Sequence, residues 1–412
     1  MKKLFIIGLN WPEPSTTAAG SRMLQLLEFF LEEGYRITFG STAKETEYAF
    51  DLEAQGISKI NLLLNDSSFD AFIQDLNPDT VLFDRFLTEE QFGWRVVKNI
   101  PNALRILDTE DLHSLRQVRE DAFSANAPFS TSLWIRADIS KREMASIYRC
   151  DLSLIISDYE MQWLIEKVKV DASLLLYLPF MLDLLTDKDQ GEWIGFGERQ
   201  DFITYGNGRH APNMDAIHYL KTGIWPLIQK RMPQARLHIY GAYLPQSVKL
   251  WHNPKAGFFV AGWVRDLQSK VGQARVVLAP LRFGAGIKGK LVMAMQNGTP
   301  NVTTAIGAEG MPGQLPWSGA VAVNATDFAE KAVNLYEDEK KWAIAQENGT
   351  QIINTRYNKK SLTAKFSKVL ESISKNRETH RQKNFIGQML LHHTLASTRY
   401  MGKWIEEKNK RG

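Results

Sequence analysis

The stretch RVVLAPLRFGAGIKGKLVMAMQNGTPNVTTAIGAEGM, residues 275–311, decides the fold. An apolar run ends at Leu281, a loop with three glycines follows, KLVMAMQNG has the composition of a buried helix, and TPNVTTA is a second apolar run. Apolar strands that alternate with helices are typical of a parallel sheet covered by helices on both faces. The stretch therefore predicts an α/β protein.

The same alternation continues through most of the chain. Further apolar runs are KLFIIGL, YRITFGS, DTVLFDRF, ALRILDTE, DLSLIISDYE, DFITYGN, ARLHIYGA and GFFVAGW. We predict two doubly wound, Rossmann-like domains that face each other across a cleft, because such sheets bind ligands at the carboxyl ends of their strands. The predicted boundaries are 1–185 for the first domain, 186–200 for a linker, 201–374 for the second domain and 375–412 for a basic helical tail.

Composition agrees with a folded two-domain protein. The chain has 412 residues, of which 44% are hydrophobic and 23% charged, which excludes a disordered or fibrous class. The one cysteine, Cys150, can form neither an internal disulfide nor a cysteine-rich metal site, so a reducing compartment and hence the cytoplasm are expected. The apolar start of the chain, Leu4 to Leu9, is too short for a signal peptide.

The net positive charge of the chain comes from the tail. Residues 375–412 contain nine Lys or Arg and three Glu, whereas the whole chain carries a net charge of +4. A nucleic-acid-binding function is therefore not favoured, because it requires a basic face on the folded domain. We expect the tail aromatics Phe385, Tyr400 and Trp404 to pack against a domain, with contact to the inner face of a membrane as the alternative.

The glycine-rich loop after Leu281 is the strongest candidate site. Glycines allow a close approach of the backbone, a helix N-terminus favours an anion, and Arg282, Lys288 and Lys290 add positive charge around Gly286. This combination predicts a diphosphate site. The alternative is a tight strand-to-helix turn with solvated lysines.

The loop also satisfies the dinucleotide pattern GxGxxG. The glycines are Gly284, Gly286 and Gly289, and Glu309 follows twenty residues after the last of them. That pattern belongs to the first strand-to-helix turn of a domain, whereas here at least three elements of the second domain precede it. An NAD-dependent enzyme is therefore kept only as a less favoured alternative.

Three further loops follow predicted strands. Gly20 opens a helix after NWPEPSTTAA, where the alternative is a simple Ser/Thr cap. Asp111 and His113 lie in DTEDLHSLR, and a histidine beside a carboxylate can orient a sugar hydroxyl or move a proton, or be only structural. His210 and Asn213 precede a helix and are either ligand-binding or capping residues.

One helix start carries an additional signal. Ser157 is followed three residues later by Glu160, which predicts a capping box at the N-terminus of the helix DYEMQWLIEKV.

Taken in order, these motifs resemble the GT-B glycosyltransferases of the large retaining family four. The segments HAPNMDAI, ARLHIYG and APLRFGAGIKGKL, with AMQNGTPNVTTAIGAEGM, resemble its donor-binding half. The loop at Gly20, DTEDLHSLR and YRCDLSLIISDYE extend the resemblance over most of residues 1–345.

The resemblance implies a nucleotide-diphosphate sugar as donor, bound mainly by the second domain, and no other cofactor and no metal. It implies that the first domain binds the acceptor, an unidentified glycan, lipid or small molecule, and that the sugar is transferred with retention of its anomeric configuration. By the same resemblance, the diphosphate would be held by Arg282, Lys288 and Lys290, and Gly20 would lie beside it. His113, with Asp111 second, would lie near the reaction centre.

The sequence departs from the family at one important place. The family typically carries two glutamates with seven residues between them, and the corresponding positions here are Ala285 and Met293. Methionine is only a weak hydrogen-bond acceptor and cannot replace a carboxylate that binds ribose. Either Glu309 takes over, or the donor differs, or the protein binds nucleotide sugars or glycans without turnover.

Overall fold

The computed structural model describes residues 1–410, apart from the side chains of 393–396, 398 and 410. The predicted α/β architecture is confirmed: two all-parallel sheets, of seven and six strands, are each covered by helices. The first domain contains β1 (Lys3–Gly8), α1 (Ala18–Glu32), β2 (Arg36–Ser41), β3 (Ser58–Asn61), α2 (Ser68–Leu76), β4 (Thr80–Asp84), α3 (Arg85–Asn99), β5 (Leu104–Asp108), α4 (His113–Ser124), α5 (Thr131–Arg136), α6 (Asp138–Arg149), β6 (Leu152–Ile155), α7 (Asp158–Gln162) and β7 (Leu175–Tyr177).

The second domain follows after residue 186. Its elements are α8 (Asp187–Gly191), β8 (Gln200–Tyr205), α9 (Ala211–Tyr219), α10 (Trp225–Arg231), β9 (Leu237–Tyr240), α11 (Gln246–Lys249), β10 (Phe258–Gly262), α12 (Leu267–Gln273), β11 (Ala274–Ala279), α13 (Gly289–Gln296), β12 (Asn301–Thr304), α14 (Ala305–Ala308), β13 (Gly319–Ala322), α15 (Ala325–Glu337) and α16 (Glu339–Arg356). The chain ends with α17 (Lys359–Lys375), α18 (Arg377–Lys383) and α19 (Phe385–Lys410).

The strand order in both sheets reverses at one point. The first sheet runs β3-β2-β1-β4-β5-β6-β7 and the second β10-β9-β8-β11-β12-β13, so the reversals lie between β1 and β4 and between β8 and β11. The central strands are almost wholly buried, as expected for parallel strands covered on both faces. The loops that leave these four strands diverge and open a crevice at each sheet.

The end of the chain crosses back to the first domain. Helix α17 lies within the predicted range of the second domain, but its apolar residues pack into the core of the first. Phe366 stacks on Phe29 of α1 with ring centroids 4.5 Å apart. Ile353 of the preceding helix α16 and Tyr357 directly after it belong to a cluster that also contains Phe180 of the first domain. The last described helices therefore fasten the two domains together.

The tail packs on the first domain through polar groups rather than through its aromatics. Arg381 donates to Asp151 at 2.7 Å and to the carbonyl of Ala103 at 2.7 Å. Phe385, Tyr400 and Trp404 are 72%, 67% and 64% exposed, so the expectation that these rings pack the tail was wrong. Among residues 1–410, no helix is long and apolar enough to cross a membrane.

The predicted capping box at α7 is also wrong. Ser157 occupies the N-cap position, but its side chain makes no capping hydrogen bond. Oε1 of the Glu160 carboxyl group accepts instead from the backbone N–H groups of Leu112 and Gly286, at 2.9 and 2.8 Å. The two loops that contain these donors lie far from Glu160 in sequence, and their N–H groups need an acceptor because they are buried.

Candidate functional site

A cleft of about 720 Å³ lies between the two domains, at the reversal point of both sheets. The loops after β1 and β4 line it from the first domain, and those after β8 and β11 line it from the second. Since ligands of doubly wound sheets bind at this position, the cleft is the candidate functional site.

The two walls of the cleft differ in charge. Among the lining residues that the structure describes, those of the second domain include Arg209, His210, Lys288 and Lys290 but no carboxylate. The first-domain wall has four carboxylates, Glu13, Asp84, Glu110 and Asp111, and with them Lys44, Arg85, His113 and Arg116. An anion is therefore favoured against the second domain, and a neutral polar molecule fits the mixed wall of the first.

The two predicted lysines lie in the cleft. Lys288 is buried and donates to the carbonyl of Gly286 at 2.7 Å, and Lys290 lies in the first turn of α13. Burial lowers the pKa of each ammonium group to about 8. Two desolvated cations at a helix N-terminus form a site that gains stability when an anion arrives.

Two glycines of the loop lie close to the first domain. Gly286 has φ +63°, and a Cβ added to it would lie 2.7 Å from the Cβ of Asp111 in the first domain. A Cβ on Gly289 would lie 2.4 Å from the Cβ of Ala18. These glycines therefore let the loop approach the other domain, and Gly286 itself does not line the cleft.

Arg282 and Glu309 do not face the cleft. The guanidinium of Arg282 pairs with Asp215 and lies between the rings of Phe123 and Tyr219, 4.5 Å from each centroid. Glu309 accepts two hydrogen bonds from Arg119, at 2.7 and 2.8 Å. Neither residue is among those that line the cleft, so the sequence-based assignment of both to the donor site is not supported by their positions.

Asp111 and His113 lie together in the cleft at the start of α4. The Nε2 atom of His113 lies 3.2 Å from Oδ1 of Asp111, and Arg116 donates to Oδ2 at 2.6 Å. Burial lowers the pKa of His113 to about 3, so its imidazole is neutral. Burial alone would raise the pKa of Asp111, but the positive charge of Arg116 outweighs it and holds that pKa below its usual range.

The position of His113 is fixed from outside the cleft. The buried carboxylate of Glu143 accepts from the backbone N–H of His113 at 2.9 Å and of Ser114 at 3.0 Å. A carboxylate at this end of α4 satisfies two free N–H groups and complements the helix dipole.

His210 and Asn213 line the cleft, and neither side chain caps α9. Burial lowers the pKa of His210 to about 4, so this imidazole is also neutral. The amide of Asn213 donates to the carbonyl of Asn207 at 3.1 Å and holds the loop after β8.

Gly20 lies in the first turn of α1, where its N–H donates to the hydroxyl of Thr17 at 2.9 Å. A Cβ here would lie 2.4 Å from the backbone of Glu13. The glycine therefore shapes the loop after β1, and that loop lines the cleft.

Among the further cleft residues, two that the sequence-based site assignment did not include have unusual backbone angles. Arg85 and Glu110 follow β4 and β5, and both have left-handed backbone angles, with φ of +70° and +62°. Burial raises the pKa of Glu110 to about 8. Such backbone strain at non-glycine residues concentrates at functional sites. The position of each residue just past an apolar strand was the available signal.

Polar contacts between the domains surround the cleft. Glu160 joins Leu112 to Gly286, and Arg119 donates to the carbonyl of Gly284 at 2.8 Å. Across the cleft mouth, the hydroxyl of Tyr243 donates to Glu13 at 3.1 Å. The domains therefore stand in a closed arrangement in which both walls can contact one ligand.

The sequence of the second domain matches a known protein family. Residues 200–338 match the family described as glycosyl transferases group 1, and this segment spans β8 to α15 with the cationic wall of the cleft. No curated protein matches the chain.

Solved structures with similar architecture cover both domains. Sucrose-phosphate synthase from Thermosynechococcus elongatus has a TM-score of 0.69 at 15% identity, over 90% of this chain and 99% of its own. A TarM mutant from S. aureus in complex with fondaparinux, α-GlcNAc-glycerol and UDP has a TM-score of 0.67 at 10% identity, over 90% and 99%. HepE from Anabaena in complex with UDP has a TM-score of 0.64 at 12% identity, over 90% and 100%. The chain therefore has the GT-B fold, and its second domain carries the sequence signature of the group 1 glycosyl transferases.

Proposed function

We propose that the protein is a glycosyltransferase that moves a hexose from a nucleotide-diphosphate donor to an acceptor, with retention of the anomeric configuration. The observation that carries the proposal is the charge difference between the walls of the cleft. Lys288, Lys290 and Arg209 supply a cationic wall without carboxylates in the domain that matches the family. A diphosphate suits that wall, and a hydroxylated acceptor suits the other.

The chemistry agrees with these positions. When the bond between the sugar and the diphosphate breaks, negative charge grows on the leaving oxygen atoms. Lys288, Lys290 and the N-terminus of α13 are fixed before the reaction and stabilise this charge most in the transition state. The neutral imidazole of His113 can donate one hydrogen bond to a sugar hydroxyl, and ionised Asp111 can accept one. We assign no metal to this mechanism.

The structural neighbours suggest which donors to test first. One was solved with UDP and another with UDP-glucose, so UDP-sugars head the panel here. The base, the sugar and the acceptor of this chain depend on a few side chains and are not transferred from those proteins.

A binding protein that has lost turnover is the second candidate, and Met293 favours it. This residue lines the cleft where the family would place a carboxylate. The NAD-dependent alternative loses support, because Glu309 is engaged by Arg119 and Gly286 is covered by Asp111. Neither group is free to receive a dinucleotide.

The experiment is thermal unfolding of the full chain with UDP-, GDP-, ADP- and dTDP-sugars and with NAD, since a ligand of the folded state raises Tm. We expect a shift with one class of nucleotide sugar, and slow hydrolysis of that sugar in the presence of EDTA. The anomer released first, read by NMR, tests retention. A shift with NAD alone would refute the proposal, and binding without hydrolysis or transfer would favour the second candidate.

We also propose that the tail contacts an anionic membrane surface, at the cytoplasmic face. The exposed rings of Tyr400 and Trp404 lie beside Arg399 and Lys408, each cation within 6.0 Å of a ring centroid. Aromatic rings among cationic side chains match the interface of a bilayer that contains anionic lipids.

A further inference from the structure

One buried carboxyl group joins the two domains beside the cleft. Glu160 of α7 is fully buried, and its Oε1 atom accepts from the backbone N–H groups of Leu112 and Gly286, at 2.9 and 2.8 Å. Leu112 lies directly before His113 in the first domain, and Gly286 lies two residues before Lys288 in the second. Since His113 and Lys288 line opposite walls of the cleft, a single oxygen atom links the two walls.

Both of these N–H groups lie where the chain forms no regular backbone ladder. Leu112 occupies the N-cap position of α4, and Gly286 lies in the loop before α13, where its φ is +63°. A buried N–H group that lacks an acceptor is unfavourable by as much as a lost hydrogen bond. The carboxyl group of Glu160 therefore resists any movement that separates the two loops.

Two neighbouring contacts differ from this one. The carboxyl group of Glu143 holds the N–H of His113, but both residues belong to the first domain. Arg119 reaches the second domain at the carbonyl of Gly284, from a position six residues further along α4 than His113. The contact through Glu160 crosses between the domains and also adjoins the cleft residues themselves.

We infer that Glu160 is a positioning residue, which fixes His113, the proposed partner of the donor sugar, at a set distance from Lys288, a proposed partner of the diphosphate. This inference rests on the proposed function and adds to it a residue that contacts no substrate. A misplacement of reacting groups by about 1 Å can lower a rate by about 100-fold. Binding of the nucleotide should depend less on Glu160, because Lys288, Lys290 and the N-terminus of α13 all belong to the second domain.

The test compares two substitutions of Glu160 that have similar volume. Glu160→Gln keeps the acceptor oxygen and places an amide nitrogen at Oε2, which has no partner among the described residues, whereas Glu160→Met offers only a weak acceptor. Both substitutions remove the ionisable group, so an effect of its charge on Lys288 would appear equally in both. The rate measured is hydrolysis of UDP-glucose, or of GDP-, ADP- or dTDP-glucose where one of these is the donor.

We expect Glu160→Met to lower kcat by about tenfold or more while KM stays within about threefold, and Glu160→Gln to keep kcat within about threefold of the parent. A parent-like kcat in Glu160→Met, or an equal loss in both variants, would overturn the inference and leave the proposed function standing. A parent protein that hydrolyses none of the four donors would instead remove the proposed function, and the inference with it.

Two control variants separate positioning from a loss of stability. Val96→Ala, at a fully buried residue of α3, should lower Tm and leave kcat unchanged. Glu166→Met repeats the substitution at an exposed glutamate of the first domain that does not line the cleft, and it should change neither quantity. If Val96→Ala lost kcat to the same extent as Glu160→Met, Glu160 would act through stability alone and the inference would fail.

Discussion

Lys288 and Lys290 have pKa values lowered to about 8 by burial, so their charge is sensitive to mild alkali. We expect the affinity for a nucleoside diphosphate to fall as pH rises from 7 to 9, because both ammonium groups lose protons in this range. Replacement of Lys290 by alanine should weaken binding by about tenfold or more at pH 7, the usual cost of a charged hydrogen bond. Titration calorimetry at both pH values measures this.

The control variant keeps the positive charge at position 290 but does not lose its proton between pH 7 and 9. Lys290→Arg carries a guanidinium that stays protonated at pH 9, so its affinity should vary less with pH than that of the parent protein. Equal pH profiles for the two proteins would mean that Lys290 is not a phosphate ligand.

Glu160 gives a prediction for stability. Burial raises its pKa to about 8, above the ordinary value of 4.5, so between these values the folded state keeps a proton that the unfolded chain releases. Its contribution to stability is therefore complete at low pH and is lost as pH rises through this window, by up to about 1.4 kcal/mol per pH unit. Glu160→Gln keeps the acceptor oxygen and removes the proton exchange.

We expect urea unfolding of Glu160→Gln between pH 5 and 8 to show a smaller loss of stability with pH than the parent protein. The exposed substitution Glu192→Gln is the control, and it should follow the parent curve. Parallel curves for Glu160→Gln and the parent would contradict the assigned protonation state.

The sequence predicts where a single residue lies in the fold better than it predicts which side chain that residue contacts. The lysines of the loop line the cleft, as their position after a strand predicts, while their binding of the donor stays a prediction. Arg282 and Glu309 looked equally suitable, but Asp215 and Arg119 engage them, and both partners are distant in sequence. Glu160 was assigned to a local cap for the same reason, since its partners Leu112 and Gly286 meet only in the folded chain.

At the scale of elements, the loop before α13 acts as the contact between the domains. Gly286→Ala places a Cβ 2.7 Å from that of Asp111 and puts a side chain at φ +63°, which costs about 1–2 kcal/mol before any clash. We expect a lower Tm and a nucleotide affinity reduced by about tenfold, since the loop must move away from the first domain.

A glycine in open space provides the matched control. In α12, an added Cβ at Gly272 has no neighbour within 4 Å. Gly272→Ala should therefore leave the affinity unchanged and raise stability by about 0.4–1 kcal/mol. If Gly286→Ala bound nucleotide as well as Gly272→Ala, close contact of the domains would not be needed for binding.

Helices and strands can be predicted from the sequence, whereas the elements against which they pack are harder to predict. Leu362, Phe366 and Leu370 recur at helical spacing and predict an amphipathic helix, which is α17. The pattern predicts that this face of the helix is buried, but it does not identify the element against which the face packs. Because its partner is Phe29 on α1, more than 300 residues earlier, the predicted end of the second domain at 374 includes a helix that packs on the first.

For the whole molecule, the proposed membrane contact of the tail would determine where the protein works. Helix α19 contacts α3 and α6 of the first domain, while the rings of Tyr400 and Trp404 point outward into solvent. An exposed aromatic surface beside cations is costly in water and gains free energy at an anionic bilayer. Because we propose that the acceptor binds to the first domain, this attachment would bring a lipid-linked acceptor to the cleft.

We expect the full chain to sediment with vesicles that contain phosphatidylglycerol and not with pure phosphatidylcholine, and to dissociate at high salt because the attraction is screened. The double substitution Tyr400→Ser and Trp404→Ser should reduce vesicle affinity by about tenfold, whereas Leu250→Ser, at a 75% exposed apolar residue of the second domain, should not. Equal sedimentation of the double variant and the parent would exclude the tail as the contact. Retained nucleotide binding in the double variant would show that the fold and the cleft are intact, so that lost sedimentation reports the membrane surface alone.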